Sequence, residues 1–191
     1  MPSIEKVIDK ILPYISLGPE DQKLLEGHLV PQRLKKGGFL MRSGEQNQAI
    51  CYIQSGLMRS YYYDEEGKEI TSGFFQENSF CTDLNSFRTG VRSQRLIEAI
   101  QDCQILVLNK IAQNTLLDRI EHWAYFEQNY ISNLLLEKVN FQRKLANSTA
   151  QEAYQLFLER YDQAALYAPR YQIASFLGIS PFTLSRLKIA N

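Results

Sequence analysis

The sequence predicts an α+β fold in three parts: a β-roll or jelly roll of short strands, one long helix, and a small helical unit at the C-terminus. Three observations carry this prediction. From Val30 to Leu108, short apolar runs are cut by turn residues at close intervals, the texture of a β-sandwich. After Ile111 the apolar residues Leu117, Ile120, Ala124, Ile131, Leu134, Phe141 and Leu145 fall three, four or seven apart, a helical period. Residues 170–188 then set two short apolar faces on either side of Gly178. The corresponding parts are 1–115, 116–146 and 147–191.

In chain order, residues 3–28 read as helices interrupted at Leu17-Gly18-Pro19, with Ile4, Val7, Ile8, Ile11 and Leu12 on one face. Strand candidates are Phe39-Leu40-Met41, Ile50 to Ile53, Leu57 to Tyr63, Glu69 to Gln76 and Arg95 to Ile100. Turns fall at Lys36-Gly37-Gly38, Ser43-Gly44-Glu45, Gln54-Ser55-Gly56, Asp64 to Gly67 and Arg88-Thr89-Gly90. The stripe after Ile111 places one long helix, interrupted by the charges of Glu127 and Lys138 where apolar residues are expected. It reads as a helix-pair seam of a homodimer, or as a face packed on the chain's own β block. Trp123 and Tyr130, seven apart, fit packing of this helix against the strands. Ser148 or Thr149 can cap a further helix from Ala150 to Tyr161.

The composition excludes several function classes. A chain of 191 residues with 45% apolar content can bury a core without disulfide or metal staples. The longest aliphatic run, Ile105 to Leu108, falls far short of the roughly 20 residues of a membrane span, so no membrane partner is expected. The N-terminus lacks the apolar core of a secretory signal, which points to the cytoplasm. Cys51, Cys81 and Cys103 form no CxxC and read as reduced core thiols. His28 and His122 have no metal-type neighbours, so neither a metal, a required cofactor nor an enzyme's nucleophile and base can be assembled. The 21 basic and 21 acidic residues cancel, but residues 140–191 carry six basic against three acidic groups. That draws the C-terminal end toward phosphates.

Residues 170–188 have the helix-turn-helix pattern. Ile173, Ala174 and Leu177 make the apolar face of the first helix. Gly178 supplies a positive φ, Ser180 caps the second helix, Pro181 suits its first position, and Leu184 and Leu187 face inward. Arg186 is the best base-edge candidate, because a guanidinium can bond guanine O6 and N7 together. Ser185 can reach a base or phosphate, and Phe182 a thymine methyl. Arg170, Tyr171, Thr183 and Lys188 suit phosphates and register.

In this order of parts the chain resembles the Crp/Fnr family of bacterial transcription regulators. The resemblance runs through Lys36-Gly37-Gly38-Phe39-Leu40, Gly44-Glu45, Tyr52-Ile53, Gly56-Leu57-Met58-Arg59, Asp64 to Glu69, Ile97 to Ile100, and Ile173 to Arg186. It implies a cyclic-nucleotide-binding-like effector domain, a long dimerisation helix and a DNA-binding domain. It also implies a homodimer on palindromic double-stranded DNA, with RNA polymerase as a candidate partner. The family's phosphate-binding cassette falls on Phe80 to Ala99, and here the chain departs from the cyclic-AMP sensors. Thr82-Asp83-Leu84 stands in place of Gly-Glu-Leu, and Ser93-Gln94 in place of Arg-Ser. Arg92 lies one position early; Arg95 lies two late but keeps the strand parity. Leu135-Leu136 replaces the hydroxyl pair that contacts adenine and cannot hydrogen-bond a purine edge. Another small effector, or none, is expected ahead of cyclic AMP. The alternative is a ligand-sensing module with weakened DNA binding, since the last charge, Lys188, lies just past the second helix. A cupin-type enzyme lacks its histidines.

Overall fold

The computed structural model describes residues 4–187. Two short helices open it, α1 (Glu5–Ile11) and α2 (Pro19–His28). Pro19 takes the first position of α2, and the Asp21 carboxylate accepts the Gly18 amide at 2.9 Å. The strands of the described residues are β1 (Val30–Leu34), β2 (Phe39–Met41), β3 (Ala49–Ser55), β4 (Met58–Tyr63), β5 (Glu69–Phe75), β6 (Ser79–Cys81), β7 (Leu96–Ala99) and β8 (Cys103–Asn109). They form two antiparallel sheets, β1-β8-β3-β6 and β2-β7-β4-β5. The expected β-roll is therefore present. Its short strand β6 and the helix that follows it, α3 (Leu84–Thr89), have no periodicity of their own in the sequence.

Strand alternation divides the apolar residues between two layers. Cys51, Ile53, Met58, Cys81, Ile97, Ala99 and Ile105 fill the space between the sheets. Tyr52, Leu106 and Leu108 point from the other face of the first sheet, where they meet Val7, Ile11 and Leu25 of the opening helices. The three cysteines, remote in sequence, converge on the inner layer; Cys51 stands opposite Cys81 in the β3–β6 register. All three are buried free thiols.

The predicted long helix is two helices, α4 (Lys110–Arg119) and α5 (Trp123–Ala146). His122 turns the chain between them at φ 63°, a conformation that no Gly or Pro announces. Three residues of the predicted dimer stripe are corrected accordingly. Leu117 lies on α4; Ile120 caps α4 and is 3% exposed within the helix-on-sheet core; Phe141 is buried beneath Tyr161 and Phe176. Ile131 and Leu145 are half-buried, whereas Ala124 and Leu134 are exposed. The physical reason is that much of the regular stripe covers the chain's own sheet and C-terminal unit. The face of α5 left open instead carries Tyr125, Leu135, Leu136 and Val139, each more than half exposed.

The chain ends in α6 (Ala150–Arg160), α7 (Asp162–Tyr167), α8 (Arg170–Leu177) and α9 (Pro181–Arg186). Thr149 is the α6 cap: its hydroxyl accepts the Glu152 amide at 3.3 Å, and the Glu152 carboxylate accepts the Thr149 amide at 2.8 Å. A third cluster joins Phe157, Ile173, Ala174 and Leu184 to Leu57, Phe74 and Ile100 of the β-roll. No helix among the described residues is long and apolar enough to cross a membrane.

Candidate functional site

Helices α8 and α9 meet at a turn built as their residues require. Gly178 adopts φ 68°, and the Ser180 hydroxyl accepts the Thr183 amide at 2.9 Å. Leu184, fully buried, anchors α9 against Ile173 and Ala174. With Leu184 inward, helical spacing turns Phe182, Ser185 and Arg186 outward, and all three are exposed, as is Pro181 at the start of the helix. The Arg186 guanidinium lies over the Phe182 ring, 3.9 Å from its centroid, so the two side chains form one exposed cationic and aromatic edge.

Other predicted contacts have local tasks. Arg170 uses one guanidinium N–H to hold the Leu184 carbonyl at 2.8 Å, which fixes the end of α9. The Ser185 hydroxyl donates to the Phe182 carbonyl at 2.7 Å, and the Thr183 hydroxyl pairs with that of Ser180 at 2.8 Å. Tyr171 is exposed, its hydroxyl accepting from Gln172 Nε2 at 3.1 Å. Lys188 lies outside the described residues.

A cleft of about 990 Å³ opens between the β-roll, α5 and the C-terminal helices, and it brings together Phe80, Thr82, Asp83, Leu84, Arg92, Ser93, Arg95 and Leu135. Leu136 is not in its wall but on the open face of α5. The cassette is largely occupied with its own bonds. Asp83 caps α3 through the Ser86 amide at 3.2 Å and accepts the Ser93 hydroxyl at 2.5 Å. The Thr82 hydroxyl donates to the Ala49 carbonyl and accepts from Asn47 Nδ2. Arg92 donates to the Gly44 carbonyl at 2.7 Å. Arg95 is exposed at the start of β7, on the cleft wall with Lys138. Partial removal from water, then the Arg95 charge, hold Lys138 below the usual lysine value. Of the charged groups that line the cleft, Arg95 and Lys138 stand near one another, while Asp83 and Arg92 are engaged in the hydrogen bonds just described.

Two parts of this arrangement were not found by sequence reasoning. Asn47, 7% exposed, ties β3 to the cassette, its amide N–H donating to Ser86 Oγ and its side chain to Thr82 and the Asp83 carbonyl. Ser175 of α8 joins the C-terminal unit to β5: its hydroxyl accepts the Thr71 amide at 3.0 Å and donates to the Glu69 carbonyl at 3.1 Å. A lone Asn or Ser in a polar stretch carries no spacing signal, since its partner lies many residues away.

Residues 31–119 match the cyclic nucleotide-binding domain family. The anaerobic regulatory protein of Bacillus subtilis (strain 168) is 26% identical over 105 residues, which is 51% of this chain and 44% of that relative. The chain therefore spans less than half the length of the curated relative it matches. Among solved structures, FixK2 from Bradyrhizobium japonicum aligns with a TM-score of 0.71 at 19% identity, covering 83% of this chain and 81% of that one. A chain from Eubacterium rectale described as a transcriptional regulator of the Crp/Fnr family aligns at 0.67 and 17% identity, covering 89% and 81%. At such identities the likeness is one of fold.

Proposed function

We propose that the chain is a transcription regulator of the Crp/Fnr type, acting as a homodimer that reads palindromic operator DNA through α9; its cyclic nucleotide-binding domain match and its likeness in fold to FixK2 support this reading. The observation that carries this reading is α9 itself. Its buried face is one leucine, and its open face is the Phe182–Arg186 pair with Ser185 beside it. A major groove accepts a helix presented in this way, and a guanidinium at its surface can read guanine. The open face of α5, with Leu135, Leu136 and Val139, supplies the apolar surface for a second copy.

The same reading assigns the cleft to a small effector held by contacts other than those of cyclic-AMP sensors. Asp83 would have to break two hydrogen bonds to serve a ribose hydroxyl, and Arg92 one to serve a phosphate. Arg95 and Lys138 instead favour an anion reached from the cleft mouth.

Selection of binding sites from random duplex DNA, followed by gel shifts across a salt series, tests the DNA reading. The expected result is enrichment of a palindrome, affinity that falls linearly on a log–log salt plot, and a loss of about 10- to 100-fold in specific binding for Arg186→Ala. Retention of no duplex even at low salt would overturn it in favour of a ligand-sensing module without DNA binding. Titration with cyclic AMP is expected to give no saturable heat.

A further inference from the structure

A cavity of about 210 Å³ lies between α5 and the outer face of the first sheet. The part of α5 that lines it extends from Trp123 to Lys138, about 22 Å of helix, so the void is long and narrow. Most of its wall is apolar, with Leu106 and Leu108 on the sheet and Phe126 and Ile131 on the helix. Its charged side chains, Glu127 and Lys138, stand eleven residues apart, about 16 Å along the axis. Burial pushes the Glu127 carboxyl up, toward its neutral form. At the Lys138 end the cavity meets the cassette cleft: the two share seven wall residues, among them Thr82, Leu134, Leu135 and Lys138. The Thr82 hydroxyl is already bonded to Ala49 and Asn47, whereas Leu134 and Leu135 are 42% and 52% exposed and make an apolar edge from one void to the other.

Most charges of the cleft are matched. Glu137 pairs with Arg160 at 3.4 Å, the Glu77 carboxylate accepts the Gly56 amide at 3.4 Å, and Asp83 and Arg92 keep the bonds given above. Arg95 and Lys138 have neither a side-chain hydrogen bond nor an ion pair among the described residues, and the Arg95 charge reaches Lys138. We propose that cavity and cleft form one site for an amphipathic anion, with an unbranched apolar tail along α5 and an anionic head between Lys138 and Arg95. The head follows from two unmatched like charges, which an anion between them offsets. The tail follows from the apolar void that opens beside them. A cavity of roughly 150 Å³ holds benzene, so this one takes about eight carbons, and its narrow course along α5 suits a chain over a ring system. The site deepens the effector reading of the cleft, on which it rests, and draws neither Asp83 nor Arg92 from its bonds.

Calorimetric titration of the full chain with octanoate, butanoate and octan-1-ol tests tail and head separately. Octanoate is expected to saturate below millimolar ligand. Each buried methylene is worth roughly fourfold in affinity, so butanoate is expected to bind on the order of 100-fold more weakly. Octan-1-ol keeps the tail without the charge and is expected to bind about tenfold more weakly than octanoate. Lys138→Met is expected to weaken octanoate by a similar factor and leave octan-1-ol unchanged, with the melting temperature as the folding control. Trp123, the single tryptophan of the chain, lines the apolar end, so its fluorescence is expected to shift with octanoate and not with butanoate. Butanoate binding as tightly as octanoate would overturn the tail and leave the anion reading of the cleft in place. Octan-1-ol binding as tightly as octanoate would overturn the charged head, and with it that reading. The absence of saturable heat from all three would overturn the site outright.

Discussion

Single residues hold the turns of the β-roll, and the structure separates two glycines that look alike in the sequence. Gly56 and Gly67 both close turns at positive φ, 99° and 76°. At Gly67 a Cβ would enter open space, whereas at Gly56 it would lie 2.6 Å from the Asp102 carbonyl oxygen and 2.9 Å from Cys103 Cα. Gly67→Ala is expected to cost about 1–2 kcal/mol, the ordinary left-handed penalty. Gly56→Ala is expected to cost several kcal/mol more, because backbone must move; urea unfolding of both variants measures the difference. The thiols give a pH signature. Burial pushes Cys51 up to about 12 and Cys103 up to about 11, from 9.0 for a free thiol. The unfolded chain releases these protons first. Their contribution to stability is therefore complete below pH 9 and lost as the pH rises toward 11 to 12. Replacing Cys51 with Ala should flatten that decline in an alkaline series of unfolding curves, and a thiol reagent should label none of the three cysteines until the chain unfolds.

At the scale of elements, helix α5 shows how a periodic pattern can place a helix without saying what its face meets. Counting three and four selects the residues of one face, but not what that face meets. Phe141 and Ile120 turn out to be internal, and the outward face carries Leu135, Leu136 and Val139. The charges that interrupted the pattern, Glu127 and Lys138, line an otherwise mostly apolar cavity between α5 and the first sheet. Leu136→Glu, at a position 62% exposed, is expected to leave the fold intact and convert the proposed dimer to a monomer. Sedimentation velocity, with circular dichroism as the folding control, measures this. A variant that stays dimeric would move the interface elsewhere.

For the whole molecule, the edge strand β5 carries a large part of the contact between the β-roll and the C-terminal helices. β5 ends the sheet β2-β7-β4-β5, and Ser175 of α8 satisfies its Thr71 amide and Glu69 carbonyl. Phe74 of the same strand packs its ring on Phe157 and Phe176. Ser175→Ala is expected to speed exchange of the Thr71 amide and to cost about 1 kcal/mol, read by hydrogen exchange and urea unfolding. Unchanged exchange at Thr71 would show the apolar contacts to be sufficient. The sequence by itself determined the strand texture, the helical period after Ile111, and the turn of Gly178, Ser180 and Pro181. Each depends on neighbours within one or two turns of the chain, so local spacing records it. Only the tertiary structure decided that His122 splits the stripe, that Asp83 and Arg92 bond within the cassette region, and that Arg170 braces α9. Those outcomes depend on groups brought together from distant positions, and a side chain's free valence is known only once its neighbours are in place.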